Sequence, residues 1–388
     1  METADDVTPA GPVGKPRLGG ALRAIDGWLG PQGASGVGAV VWHRGRVAAE
    51  RYAGEGRPGA PVDARTIFPL ASVTKPVTAA VVMTLVEEGL VSLDESVGRL
   101  VPEFRADPEA EGLDPARERL RPNITVRQLL AHTSGLPEDL GPREGRYAER
   151  VELNTIVDAM CRLPLVSAPG SELRYSNAGY GVLTRLVERL TGQEFWEVAR
   201  RRVLLPMRLR DTIARPSPEV TDRVALLADT THAGTELETY NGDYWRGLAI
   251  PWGGLFGTPR DLARFAGTFL PSGAAGPRLL SPPALRLMTA DQAEGVPGGV
   301  ESARVRWEVA HWGLGWEVKG GKRRHWTGEL TSPETFCHFG AAGTLLWADP
   351  TQDLALAVFA NRAVARIWTF ILPRWARLSN AVVAAAAE

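Results

Sequence analysis

Residues 77–89, Val-Thr-Ala-Ala-Val-Val-Met-Thr-Leu-Val-Glu-Glu-Gly, are apolar on almost every side of a helix. A surface helix keeps one polar face, so this pattern predicts a helix buried inside the protein, with the rest of the chain arranged around it. Gly89 is placed to end it. At its mouth stands Phe68-Pro-Leu-Ala-Ser-Val-Thr-Lys-Pro76. Ser72 and Lys75 are three positions apart and share a helix face, and Pro76 falls in the first turn, where a missing N–H is tolerated. A serine in that place feels the positive end of the helix. Backbone N–H groups there can meet an oxyanion, and a partly desolvated Lys75 with a lowered pKa is a base for the hydroxyl proton. Taken alone, Ser-x-x-Lys also fits a capping serine beside a surface lysine.

Three further segments narrow the choice. Tyr175-Ser176-Asn177 follows a turn-rich Pro169-Gly-Ser171 and precedes a second periodic helix, His338-Phe339-Gly340 opens an apolar strand, and Thr125-Val-Arg-Gln-Leu-Leu-Ala-His-Thr-Ser-Gly-Leu-Pro137 lies between. In this order the segments resemble the serine β-lactamase and penicillin-binding-protein superfamily, nearest its class C, D-aminopeptidase and family VIII carboxylesterase branch. The resemblance runs from about Ile25 to Arg366 and takes in Leu93-Asp94, the stretch Gly253 to Phe265 and the closing Ala360-Asn361-Arg362. It implies Ser72 as nucleophile, Lys75 as its activating partner and Tyr175 as the phenol that takes the proton and returns it to the leaving group. It further implies that Asn177 orients Lys75 and the acyl group, and that the backbone N–H groups of Ser72 and Ala341 form the oxyanion hole. In the third motif, where β-lactamases and transpeptidases carry Lys-Thr-Gly or a close variant, this chain has His338-Phe339-Gly340. A neutral imidazole holds a carboxylate far less well than an ammonium, which argues against β-lactams and peptide carboxyl termini as main substrates.

The expected function is therefore a carboxylesterase-type serine hydrolase acting through an acyl-enzyme on Ser72, on a small-molecule ester or acyl substrate. The alternatives are an acyltransferase of the same fold, a β-lactamase or D-amino-acid peptidase, and a non-catalytic acylation sensor. His338, Phe339 and Gly340, with the aromatic group Tyr240, Tyr244, Trp245 and Trp252, are the expected substrate contacts. His132 reads as a residue that shapes its loop. The chain carries no Gly-x-Ser-x-Gly elbow, His-Glu-x-x-His or phosphate-binding glycine loop, and no metal or organic cofactor is expected.

The expected fold class is α/β (α+β), an antiparallel sheet assembled from both ends of the chain and flanked by helices, with an inserted mainly helical lobe. Val37–Trp42 and Val47–Tyr52 flank His43-Arg-Gly-Arg46 as a hairpin, and Thr344–Ala348 and Leu354–Phe359 read as strands covered on both faces. Helices are expected near 18–29, 126–131, 151–161, 180–190, 195–205 and 259–269, with another from Ala363 onward, while 105–121 reads as a solvated loop. Residues 1–17 read as a disordered tail and 18–388 as one catalytic domain, with an α/β lobe from 18–75 and 300–388 and a helical lobe from 76–299. The 388 residues, 44% of them hydrophobic, suffice for a packed core, and a net charge of −1 argues against nucleic acid or an anionic membrane as partner. Cys161 and Cys337 are expected as buried free thiols. No run is long and uncharged enough to span a bilayer, and the start Met1-Glu-Thr-Ala-Asp-Asp lacks the regions of a secretory signal, so a cytoplasmic location is expected.

Overall fold

The unbroken apolar runs at the two ends of the chain become neighbours in one sheet. The structure, a computed structural model, describes residues 16–141, 150–274, 278–364 and 368–387. Its main sheet contains β1 (Gly36–His43), β2 (Arg46–Arg57), β3 (Ala60–Pro61), β4 (Glu317–Val318), β5 (Phe336–Gly340), β6 (Thr344–Asp349) and β7 (Leu354–Ala360). The spatial order is β3-β2-β1-β7-β6-β5-β4, with every neighbouring pair antiparallel. At its centre β1 pairs with β7 in the register Val37↔Ala360 to His43↔Leu354, which ties the beginning of the domain to its end. The β1–β2 hairpin turns at Arg44 and Gly45, whose φ angles of 50° and 79° match the right-handed twist of the strands.

Apolar side chains on both faces of β1, β6 and β7 require cover on both faces. On one side Val37, Ala39 and Val41 pack with Leu18 and Leu22 of helix α1 (Pro16–Leu22). Trp375, Leu378 and Val382 of the C-terminal helix join the same cluster. On the other side Val40, Trp42, Ala355 and Ala357 share a core with Leu262, Ala263 and Phe265 of the helix Pro259–Gly267. That second core continues into helix α2 (Thr74–Glu87), whose residues from Thr74 to Leu85 are all buried. The all-round apolar pattern thus has the consequence expected of it, and Gly89, at φ 71°, follows the helix end.

The helical segments between the strands occur where expected, with shifted ends. The helix at 126–130 starts with a capping box between Thr125 and Gln128. Leu153–Arg162 covers the expected 151–161, and 195–205 divides into an α-helix over Phe195–Ala199 and a π-helical turn over Arg200–Leu204. The segment 105–121 is not wholly solvated. Arg121 is buried, with its guanidinium donating to Glu118 Oε2 (2.6 Å) and to the carbonyl of Leu163 (2.6 Å), so its charge is met inside the fold. The tail expected over 1–17 lies outside the described residues up to residue 15, while Pro16 and Arg17 open α1. The helix expected from Ala363 is Trp368–Ala386, and residues 365–367 lie outside the described set. Among the described residues no helix is long and apolar enough to cross a membrane.

Asn361, just after β7, fastens the two chain ends. Its Oδ1 accepts from the N–H groups of Gly36 (2.7 Å) and Ser35 (3.1 Å), and its Nδ2 donates to Ser35 Oγ (2.8 Å) and to the carbonyl of Glu55 (3.2 Å). Gly36 is buried, so Asn361→Ala strands an N–H away from water and is expected to lower stability by about 1–3 kcal/mol. Chemical denaturation checks it, and an unchanged midpoint would show that the interaction contributes nothing.

Candidate active site

Helix α2 begins immediately after a sharp reversal of the chain. Strand Phe68–Pro69, paired with Phe256–Gly257, leads into Leu70 and Ala71, and Ala71 takes a left-handed φ of 47°, uncommon for a residue with a Cβ. This turn sets Ser72 at the entrance of α2 and leaves Lys75 one turn deeper, fully buried. Lys75 Nζ donates to Ser72 Oγ (3.2 Å), to Asn177 Oδ1 (2.7 Å) and to the carbonyl of Trp252 (2.9 Å). Burial disfavours the ammonium and lowers the Lys75 pKa to about 7, while the charges of Asp139 and Glu138 act in the opposite direction. All three ammonium protons have acceptors. When one is lost, the lone pair faces Ser72 and the other two N–H bonds stay on Asn177 and Trp252.

Tyr175 comes from the far side of the cleft. Strand Leu173–Arg174 pairs in parallel with Gly298–Val300, and the Tyr175 N–H donates to the carbonyl of Gly299 (3.2 Å), fixing the tyrosine between these segments. Its ring lies 4.7 Å from Lys75 Nζ. The phenol oxygen is buried without a hydrogen-bond partner of good geometry. Burial pushes its pKa well above the usual tyrosine range, with the nearby Ser72 hydroxyl acting weakly the other way, so the phenol keeps its proton.

Helix α3 (Asn177–Thr191) explains how Asn177 reaches Lys75. Asn177 could have been the capping residue, but Ser176 takes that role, its Oγ accepting from the Gly179 N–H (2.9 Å) and donating to the carbonyl of Pro137 (2.7 Å). The Asn177 side chain is thereby free to accept from Lys75 and to donate to Asp139 Oδ2 (2.8 Å). Asp139 and its neighbour Glu138 were not singled out in the sequence. The only signal was a pair of acids directly after Gly135-Leu136-Pro137, in a segment otherwise buried from Ala131 to Leu136.

His132 lies beneath this group. It is buried at a φ of 60°, accepts the Ser176 N–H at Nδ1 (3.0 Å) and packs against Tyr175 with the rings tilted by 39° and their centroids 4.5 Å apart. It shapes the Tyr175-Ser176-Asn177 segment, as its loop position suggested. Trp312 meets both the His132 and Tyr175 rings edge-on.

The residues converge on a cavity of about 600 Å³. Ser72, Tyr175, Asn177, Phe339 and Ala341 line it, and so do Tyr240, Tyr244, Trp245 and Trp252. His338 and Gly340 do not. Alternation along β5 turns the His338 ring inward, where it is buried 6.0 Å from the Tyr175 ring and 5.9 Å from that of Trp312, and its Nδ1–H donates to the carbonyl of Phe339 (2.9 Å). Burial lowers its pKa to about 3, so it is neutral. Gly340 has a packing reason: a Cβ there lies 2.4 Å from the Leu70 carbonyl oxygen, so only glycine lets β5 approach the segment that presents Ser72. Strand β4 lies beyond β5 but pairs only with Phe336 and Cys337, leaving 338–340 beside the cleft.

Cys161 and Cys337 are buried free thiols. Cys337 lies beside Glu317 and His325, a trio close enough to share an ion. The Glu317 carboxylate already accepts from Lys322 Nζ (2.9 Å) and Trp326 Nε1 (2.8 Å), so an internal ammonium meets its charge.

The sequence pattern of the beta-lactamase family matches residues 23–367. The chain belongs to that family. It is a family of serine hydrolases, and the antiparallel sheet with its flanking helices is the beta-lactamase and transpeptidase fold. Penicillin-binding protein 4 of Amycolatopsis lactamdurans is 31% identical over 316 residues, 79% of this chain and 75% of that protein. Esterase EstB of Burkholderia gladioli is 35% identical over 185 residues, 45% of this chain and 44% of EstB. A solved family VIII carboxylesterase superposes with a TM-score of 0.76 at 20% identity, covering 96% of this chain and 98% of its own, a likeness of fold.

Proposed function

We propose that this family member is a carboxylesterase-type hydrolase that forms an acyl-enzyme on Ser72. The observation that carries the reading is the Lys75–Ser72 pair: an amine with a pKa of about 7, 3.2 Å from a hydroxyl at a helix entrance. Neutral Lys75 takes the Ser72 proton as Oγ bonds to the ester carbonyl carbon, and the oxyanion develops toward the N–H groups of Ser72 and Ala341. Collapse breaks the carbonyl carbon–alkoxide bond, and the alcohol leaves with a proton passed from Lys75 through Tyr175. Water then attacks the acyl-enzyme by the same route in reverse and releases the acid. Burial favours Lys75 over Tyr175 as the base. The phenol of Tyr175 holds its proton far above neutral pH, so it relays protons, and Lys75 is the base.

Ester chemistry is favoured over β-lactams because the third motif supplies no cation. His338 is neutral and turned away from the cavity, and no lysine or arginine is among the described residues lining it. Similarity to an esterase supports the same choice. The test compares nitrophenyl esters of increasing acyl length with a chromogenic cephalosporin. Ester kcat/KM is expected to exceed that for the cephalosporin by about 100-fold, the scale of a lost hydrogen bond to a charged group at roughly 1.5–3 kcal/mol. A cephalosporin rate equal to the best ester refutes the assignment. A covalent fluorophosphonate adduct on Ser72, with no ester turnover, assigns an acylation sensor instead.

A further inference from the structure

The cavity has an electrostatic character that the hydrolytic reaction does not require. Three carboxylates line it, those of Glu138, Asp139 and Glu301. Glu301 is paired with Arg174 Nη1 (3.0 Å), but Glu138 and Asp139 have no ion-pair partner within 4 Å among the described residues. Their hydrogen bonds come from neutral donors. Glu138 Oε2 accepts the Ser302 N–H (3.0 Å), and Asp139 accepts from Asn177 Nδ2 (2.8 Å) and from the Leu140 N–H (2.8 Å). Burial raises the pKa of both carboxyls, the usual consequence of ionised groups withdrawn from water without a full counter-charge.

The same cavity is lined by aromatic side chains. Tyr240 and Trp245 meet edge to face with centroids 5.5 Å apart, and the charge of Asp139 is close enough to raise the Tyr240 pKa. Tyr175, only 4% exposed, also lines this cavity, and its phenol oxygen, without a hydrogen-bond partner of good geometry, is available to a polar group of the substrate. Carboxylates and electron-rich rings that line one partly dry space select an ammonium.

We propose that the substrate carries a protonated or quaternary amine, held between the Glu138–Asp139 pair and the Tyr240–Trp245 wall while its ester carbonyl lies on Ser72. The inference rests on the reading of this cavity as an ester site, and it inverts the charge preference of a site built to hold a substrate carboxylate. The amine belongs either to the acyl part or to the alcohol, and the two sources separate experimentally.

The first measurement is calorimetric binding to the wild-type protein of choline and of its neutral carbon isostere, in which a tert-butyl group replaces the trimethylammonium. Choline is expected to bind at least tenfold more tightly, with the preference shrinking at high salt. It is also expected to shrink in Glu138→Gln, which keeps the acceptor for Ser302 but removes the charge. Equal affinities, or a preference undiminished in the variant, overturn the proposal. The second measurement compares turnover of two isosteric ester pairs, one with the trimethylammonium or tert-butyl group on the acyl chain and one with it on the leaving alcohol. A tenfold preference for the cation in one pair places the amine on that side. Ester turnover with no cation preference in binding or in either pair overturns the amine site and leaves the hydrolase standing. Cation-selective binding with no turnover and no Ser72 adduct upholds the amine site and removes the hydrolase reading.

Discussion

Ser72→Ala is expected to reduce nitrophenyl ester turnover on the order of 10⁶-fold, to whatever the cavity achieves by binding alone. The magnitude follows from the mechanism. A residue that makes and breaks a covalent bond to substrate has no substitute, whereas removal of an orienting group leaves the pathway open. The hydroxyl accepts from Lys75 Nζ, which keeps Asn177 and the Trp252 carbonyl as partners, so the fold is expected to survive with an unchanged far-ultraviolet spectrum and a melting temperature within a few degrees. Turnover within tenfold of the parent, from an intact variant, would falsify the assignment of Ser72.

The second large effect is on pH. The base form of Lys75 is the neutral amine, so with a pKa of about 7 the kcat/KM for ester hydrolysis is expected to rise as pH increases through about 7 and to level off above it. Lys75→Met is expected to lower kcat/KM by about 10²–10⁴-fold and to abolish this rising limb, leaving only the dependence due to hydroxide. Stability titrates too. In the unfolded chain the lysine keeps its proton to an ordinary pKa near 10.5, so between about 7 and 10.5 the unfolded state binds more protons and the folded state gains stability with rising pH. Below pH 7 the full penalty of burying the ammonium is present. The variant should lose this stability gain along with the kinetic limb. If wild type and Lys75→Met share one pH profile, another group is the base.

Much of the fold was legible because its determinants are local. The hairpin at residues 36–57 shows in two apolar-rich strand segments around a glycine turn, and the burial of α2 shows in the absence of any polar face. Helix ends were less legible. Ser176 and Asn177 are both good capping residues, and the sequence does not rank them. The choice is fixed by the carbonyl of Pro137, 39 residues earlier, which binds the Ser176 hydroxyl and sends Asn177 toward Lys75. His338 is a similar case. Its motif position was evident, but its facing depends on the pleat of β5 and on the rings of Tyr175 and Trp312 behind it.

The linear chain determined which groups were available: a serine and a lysine one helical turn apart, a tyrosine and an asparagine ahead of another helix, and a third motif without its lysine. Spacing of this kind follows from helix and strand geometry and needs no distant contact. Tertiary structure decided what those groups are chemically. Enclosure by Tyr175, Tyr180 and the Trp252 carbonyl brings the Lys75 pKa to about 7, and the segment ending at Asp139 brings carboxylates into the cavity that the aromatic residues also line. Proton affinity and local field depend on everything within several ångströms, and those neighbours come from parts of the chain up to 177 residues from Lys75.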